Sequence, residues 1–231
     1  AEDTIMYNTD THGKLEGVIH NIITGDKRYL QQPVANVAPN GKYAVSINFP
    51  RMFHFRPGYG YAGIEDKWAD INIPDDDGIY LVNLETGEAP LLLSIKEIWE
   101  RTKEQAMPAS EHPRVLINHI TWNPVSEKIV FLMRYVDPNQ KGWKTSVMVC
   151  DKKGKELKVI IPYGFASHYW WTKPNELLFY SMAGSRDTPH ELYAINTDTR
   201  EFTILDKDVF VRDVHMSTHP RSSWILNEPY P

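Results

Sequence analysis

Asn118-His119-Ile120-Thr121-Trp122-Asn123-Pro124 and Ser167-His168-Tyr169-Trp170-Trp171-Thr172-Lys173-Pro174 read as one element written twice, with their histidines 49 residues apart. Each is a short run that ends in a Pro-containing turn and leads into an apolar run, Ile129-Val130-Phe131-Leu132 in the first and Leu177-Leu178-Phe179-Tyr180 in the second. A third copy, Asp213-Val214-His215-Met216-Ser217-Thr218-His219-Pro220, places its histidine 47 residues after His168 and precedes Trp224-Ile225-Leu226. Val37-Ala38-Pro39-Asn40-Gly41-Lys42-Tyr43-Ala44-Val45 repeats the pattern without a histidine. Proline and glycine between apolar runs mark hairpin turns. A period of roughly 40–50 residues carrying four strands belongs to one blade of a β-propeller, and equivalent positions of successive blades converge on its central axis.

A second element closes each unit: Asn21-Ile22-Ile23-Thr24-Gly25, Asn83-Leu84-Glu85-Thr86-Gly87, Cys150-Asp151-Lys152-Lys153-Gly154 and Asn196-Thr197-Asp198-Thr199-Arg200. These are outer hairpin turns, in which glycine supplies the positive φ of a tight turn and Arg200 replaces it in the last copy. The expected fold is all-β, a propeller of four-stranded blades. At about 47 residues per blade the 231 residues make four to five blades, the small end of closed propellers. The chain enters partway through a unit at Ile5-Met6-Tyr7-Asn8 and leaves after Trp224-Ile225-Leu226-Asn227, so residues 1–231 read as a single, incomplete propeller domain. The rival is a four-bladed ring whose termini complete one blade together.

Composition bounds the chemistry. A net charge of -5 with dispersed Lys and Arg argues against a nucleic-acid partner. No stretch approaches the roughly 20 apolar residues of a membrane span, so no membrane partner is expected. Ala1-Glu2-Asp3-Thr4 has neither part of a signal peptide, which leaves periplasm and cytoplasm both open. Cys150 is the one cysteine, so a metal centre must use imidazole and oxygen ligands. No organic cofactor motif is present.

Two insertions interrupt the repeats. Arg51-Met52-Phe53-His54-Phe55-Arg56-Pro57-Gly58-Tyr59-Gly60-Tyr61-Ala62-Gly63 combines arginine forks, tyrosine faces and glycine turns. Such groups suit an acidic sugar, making Arg51, His54, Arg56, Tyr59 and Tyr61 candidate substrate-binding residues; the competing reading is that they pack the loop onto the propeller. The second insertion, from Ser94 to Pro108, has capping-box spacing at Ser94 and Glu97 and should form one surface helix with Ile95, Ile98, Trp99 and Thr102 on its packed face. Asp75-Asp76-Asp77-Gly78 lacks the spaced ligands of a calcium loop and reads as a solvated turn. His12, His20, His112, His190 and His219 have no repeated context and read as surface or structural residues.

Three histidines in register are harder to dismiss. His119, His168 and His215 are candidate metal ligands if they converge, His168 and His119 are candidate bases, and Arg134 is a candidate anion clamp. The competing reading keeps each imidazole within its own blade.

From about Val34 to Pro231 the chain resembles the oligogalacturonate lyase-like branch of the TolB/WD40-like propellers. The resemblance rests on Arg56-Pro57-Gly58-Tyr59-Gly60-Tyr61-Ala62-Gly63, Asp75-Asp76-Asp77-Gly78-Ile79, the His-x-x-Trp openings and Ser223-Trp224-Ile225-Leu226. It implies a propeller of about seven blades with a divalent, manganese-like metal at the channel mouth; the expected cofactor is manganese or calcium. A histidine base and an arginine would act there on a uronate. Val214-His215-Met216 departs from the Gly-His-Pro of related sequences, and His219 stands where a small residue is usual. The expected function is a β-eliminating lyase on acidic, uronate-containing oligosaccharides. The alternatives are a non-catalytic propeller that binds a glycan or protein, and a glycoside hydrolase, for which no carboxylate pair matches the histidine positions.

Overall fold

The computed structural model describes residues 3–11, 13–106, 108, 110–136, 142–164, 166–182, 190–205, 208–210, 213–219 and 224–229. His12, Pro220 and Ser223 lie outside them, and only the backbone of His190 is described. The described residues form five antiparallel sheets, each with its strands in sequence order. The first holds β1 (Thr4–Thr9), β2 (Glu16–Asn21) and β3 (Lys27–Tyr29). The second holds β4 (Asn36–Val37), β5 (Tyr43–Ser46), β6 (Gly78–Asn83) and β7 (Leu91–Ser94). The third holds β8 (Arg114–Trp122), β9 (Lys128–Val136), β10 (Lys144–Asp151) and β11 (Lys158–Gly164). The fourth holds β12 (Ala166–Lys173), β13 (Glu176–Met182), β14 (His190–Asn196) and β15 (Phe202–Leu205), and the fifth β16 (Val214–Thr218) and β17 (Ile225–Pro229). The all-β propeller expectation is met. Among the described residues, β1–β3 and β16–β17 pair as separate sheets.

Alternation along the strands explains why the sheets stack. In β9, Ile129, Phe131, Met133 and Tyr135 enter the core shared with the second sheet, while Val130 and Leu132 enter the core shared with the fourth. β13 repeats this, with Leu177 and Phe179 on one side and Leu178 and Tyr180 on the other. A strand buried on both faces reads as a continuous apolar run. The first strands of successive sheets meet at the axis: Trp122 N donates to Asn36 Oδ1 at 2.9 Å, and Trp170 Nε1 donates to Thr218 Oγ1 at 3.0 Å.

The repeated outer turns are nearly identical. Asn21, Asn83 and Asn196 each accept two backbone N–H bonds through Oδ1. Asp151 does the same in its copy. Gly25, Gly87 and Gly154 hold φ of 80°, 81° and 70°, and Arg200 adopts 65° in their place.

Among the described residues two helices are inserted, one more than expected. α2 (Ile95–Ala106) is the anticipated one: Ser94 Oγ caps the Glu97 N–H at 3.0 Å, and Ile95, Ile98, Trp99, Thr102 and Ala106 are buried. α1 (Phe49–Phe55) lies inside the first insertion, capped by Asn48 Oδ1 on Arg51 N at 2.9 Å, with Pro50 in its first turn. Asn48 followed by Pro50 was the available signal. No helix among the described residues is long and apolar enough to cross a membrane.

A polar knot fastens this insertion and corrects two expectations. Arg51 is 1 % exposed and donates to the carbonyls of Val115, Trp68, Ile71 and Asn72, with Asp66 at 3.5 Å. It is a structural residue rather than a substrate clamp. Asn48 Nδ2 bridges Asp66 and Asp77, each at 2.9 Å, and Tyr80 Oη donates to Asp77 at 3.1 Å. Asp77 is therefore no solvated turn residue; burial pushes its pKa up, against the Asn48 and Tyr80 hydrogen bonds that favour the carboxylate. Replacing Arg51 with Ala removes the charged donor of four carbonyls and the cation beside buried Asp66, which among the described residues keeps only its Asn48 and Trp68 N–H bonds. It should lower the unfolding free energy by about 3–5 kcal/mol, measured by urea denaturation of Arg51→Ala against wild type.

Candidate functional site

β8 and β12 share an irregularity that their sequences do not announce. The register between β8 and β9 slips between Asn118 and Thr121, and that between β12 and β13 slips between Ala166 and Tyr169. In each case three steps on the first strand face two on the second, which is a bulge with one extra residue. His119 lies in the first bulge and His168 in the second. His119 adopts φ 45°, a left-handed conformation that a side chain other than Gly, Asn or Asp rarely takes. Tyr169 of the next blade holds it there, its hydroxyl donating to the His119 carbonyl. β16 is regular, with His215 opposite Glu228.

The bulges bring the histidines together. The rings of His119 and His168 are 6.0 Å apart between centroids, and those of His168 and His215 are 4.0 Å apart. His168 is engaged at both nitrogens. Its Nδ1 lies 3.0 Å from Asp213 Oδ1 and 3.3 Å from Ser167 Oγ, and its Nε2 lies 3.0 Å from His215 Nε2. An Asp213 carboxylate can only accept, so the proton sits on His168 Nδ1, and Nε2 then accepts from His215. The His119 imidazole makes no hydrogen bond among the described residues.

His119, His168 and Asp213 line a recess of about 230 Å³ with Asn118, Arg134, Trp143, Arg56 and Tyr59 among its other walls. Arg134 is fixed from below: Nε donates to Asn118 Oδ1 at 2.9 Å, and Nη1 donates to the Ala166 carbonyl at 2.9 Å and to Thr145 Oγ1. Its Nη2 makes no hydrogen bond among the described residues. Burial, and then the neighbouring Arg56, bring its pKa down to about 10, which leaves it charged at neutral pH. Arg56 stacks on the rings of Tyr59 at 4.3 Å and Trp143 at 5.2 Å and has no carboxylate partner among the described residues. Two guanidinium groups thus face one carboxylate in a protein whose net charge is negative. His119 keeps a solvent-accessible face. Even so, the surrounding protein mass pushes its pKa down to about 4, helped by Arg134, His168 and His215 and opposed by Asp213. It is neutral across the physiological range.

Of the sequence candidates, the recess assembles His119, His168, Arg134, Arg56 and Tyr59, with His215 behind His168. His54 and Tyr61 lie elsewhere. Tyr61 accepts from Asn8 Nδ2 at 3.0 Å and packs edge-on against Phe49, fastening the loop to the first sheet. His54 lines a separate cavity with Phe55, Asp70, Asn72, Arg114 and Val136. Sequence reasoning missed Asp213, Asn118, Trp143 and Tyr169. Polar residues one before His119 and two before His215 were the only hint of Asn118 and Asp213.

The three imidazoles expected as metal ligands lie side by side. Two nitrogens converge at 3.0 Å, yet among the described residues no group of three or more His, Cys, Asp or Glu could hold a metal ion.

No protein-family profile matches the chain, and no curated protein matches it in sequence. Solved structures do resemble it. An acylaminoacyl peptidase from Pyrococcus horikoshii aligns over 94% of this chain and 32% of its own, at 14% identity and a TM-score of 0.53. TolB from Acinetobacter baumannii aligns over 92% of this chain and 43% of its own, at 10% identity and a TM-score of 0.46. The β-propeller domain of the Trilobed protease from Pyrococcus furiosus aligns over 94% and 70%, at 12% identity and a TM-score of 0.36. The chain spans about a third of the peptidase and under half of TolB. The likeness to the peptidase agrees with the sheet topology, and the fold is a β-propeller.

The backbone at His119 supplies a test of strain. Asn tolerates the left-handed region, so His119→Asn should unfold at the wild-type temperature or above it, by up to about 1 kcal/mol or roughly 2–4 °C. His168→Asn, which loses the Asp213 and His215 contacts, should unfold below it. A lower melting temperature for His119→Asn would remove the strain account.

Proposed function

We propose that the recess binds a uronate of an acidic oligosaccharide and cleaves the neighbouring glycosidic bond by β-elimination. The observation that supports this reading is an unbonded, neutral imidazole, His119, facing two guanidinium groups across one small recess. The sugar carboxylate sits between Arg134 Nη2 and Arg56. Removal of the proton α to it by His119 leaves negative charge on the carboxylate, and guanidinium groups already in place stabilise that charge more than the ground state. The electron pair forms the C4–C5 double bond as the C4–O bond breaks. The leaving oxygen takes up the proton that His119 removed, which returns that imidazole to its neutral form, while Asp213 fixes the tautomer of the neighbouring His168. His119 rather than His168 is the base because both nitrogens of His168 are engaged.

A base with a pKa near 4 is weak, and substrate corrects this. The uronate carboxylate cancels the charge of Arg134 that depresses His119 and adds a negative charge beside it, so the imidazole becomes more basic when the substrate is bound. Binding is then coupled to proton uptake. Uronate affinity should rise as the pH falls from 7 towards 5, measured by titration calorimetry in buffers of different ionisation enthalpy.

The ultraviolet absorbance of the unsaturated product, followed across oligouronides, tests the activity directly. His119→Ala and Arg134→Gln should each lose about 10²–10⁴ of kcat/KM. The acid limb of kcat/KM reports the free enzyme, so it should fall near pH 4, the His119 value, and not near the ordinary imidazole value of 6.5. Binding of uronides without any unsaturated product would favour a glycan-binding recess, the reading to which the low basicity of His119 otherwise points.

A further inference from the structure

The second cavity, on the other side of the C-terminal end of α1, contains an arginine in an unusual state. Arg51 and Arg114 place their guanidinium groups against the Phe55 ring, at 5.3 and 5.2 Å from its centroid. Arg51 is saturated by backbone carbonyls and Asp66. Arg114 is not: its Nε is buried without a hydrogen-bond partner, and it makes no ion pair among the described residues. Its charge also opposes that of Arg51, lowering the Arg51 pKa after burial itself. A buried, charged N–H without an acceptor costs more than a neutral one. The cavity beside it, about 580 Å³, is lined by His54, Phe55, Asn72 and Asp70, and Asp70 forms no ion pair with Arg114.

The strand register relates this group to the recess. Leu116 is paired with Arg134, Arg114 with Val136 and Asn118 with Leu132. Directly paired residues share a face, as do residues two apart on a strand, so Arg114 and Arg134 lie on one face of the third sheet as diagonal neighbours, about 7–8 Å apart at the backbone. α1 ends between the cavities, contributing His54 and Phe55 to one and leading into Arg56 in the other. Arg114 and Arg134 are thus neighbours on the third sheet, Arg134 and Arg56 both lie against Trp143, and none of the three guanidinium groups makes an ion pair among the described residues.

We infer that Arg114, with His54 at the cavity wall, is a second anion subsite, and that the ligand is an oligomer with at least two carboxylates, one held at Arg134 and Arg56 and the next at Arg114. This rests on the uronide reading of the recess and adds to it a requirement for length. It also returns His54 to ligand binding, at a place separate from the histidine cluster.

Calorimetric titration with the monomer, dimer and trimer of galacturonate, and with glucuronate- and mannuronate-containing oligomers of the same lengths, tests the subsite. In the wild-type protein the preferred trimer should bind about ten- to a hundredfold more tightly than its monomer, the worth of one added charged hydrogen-bond pair. Arg114→Gln should remove that gain and leave monomer affinity unchanged, while Arg114→Lys, which keeps the charge, should retain part of it. Equal affinity for trimer and monomer in the wild-type protein, or a gain that persists in a folded Arg114→Gln protein, would overturn the subsite while leaving the recess intact. Failure of every uronide to bind, monomers included, would overturn the recess reading and the subsite together.

Discussion

Burial of apolar strands between neighbouring sheets is the constraint from which the rest of the molecule follows. β9 and β13 have no solvent face: every second residue enters one inter-sheet core and the residues between enter the next. A sheet of this kind is stable only with a neighbour on each side. Stacking therefore brings the first strands side by side at the axis, where Trp122 reaches Asn36 and Trp170 reaches Thr218. His119, His168 and His215 sit on those same strands. Their convergence is a consequence of the packing and needs no separate device.

What does need a device is the direction of the side chains. A regular strand alternates its side chains strictly, and the inner strands already commit alternate residues to the cores. One extra residue in β8 and another in β12 interrupt the alternation and free His119 and His168 to face the recess. The left-handed backbone at His119 is the local expense of that arrangement, and Tyr169 holds it from the next blade. Strain at a residue held by a neighbouring element is a common mark of a functional position.

The first insertion solves a different problem, the placing of a long surface loop. Arg51, Asn48, Asp66 and Asp77 form a buried polar knot in which nearly every donor and acceptor is matched. Desolvation of these charges is costly, so the knot contributes uniqueness of conformation more than raw stability. Its effect is felt at the end of α1, where Arg56 and Tyr59 are carried to the recess and Phe55 is held beneath Arg114. Gly60 completes the turn at φ 72°, where a Cβ would meet the Phe49 carbonyl at 2.3 Å.

Propeller repeats, outer turns and α2 were legible in the sequence because each depends on local chemistry: turn residues, alternation, a capping Ser and the spacing of apolar positions. The register of His119, His168 and His215 was legible for the same reason, since a repeat carries equivalent residues to equivalent places. The roles of Arg51 and Arg56 were not, although both are arginines of one short segment. One became the buried centre of a polar knot and the other a wall of the recess, and only the path of the folded chain separates them. Asp213 and Trp143 also gain their meaning from residues distant in sequence. The sequence by itself determined the repeating strands and which residues recur at the axis, because short-range sterics and hydrophobic periodicity act within one blade. The tertiary structure alone decided which polar groups find partners within the protein and which do not, because hydrogen bonding and burial depend on neighbours that only packing brings together.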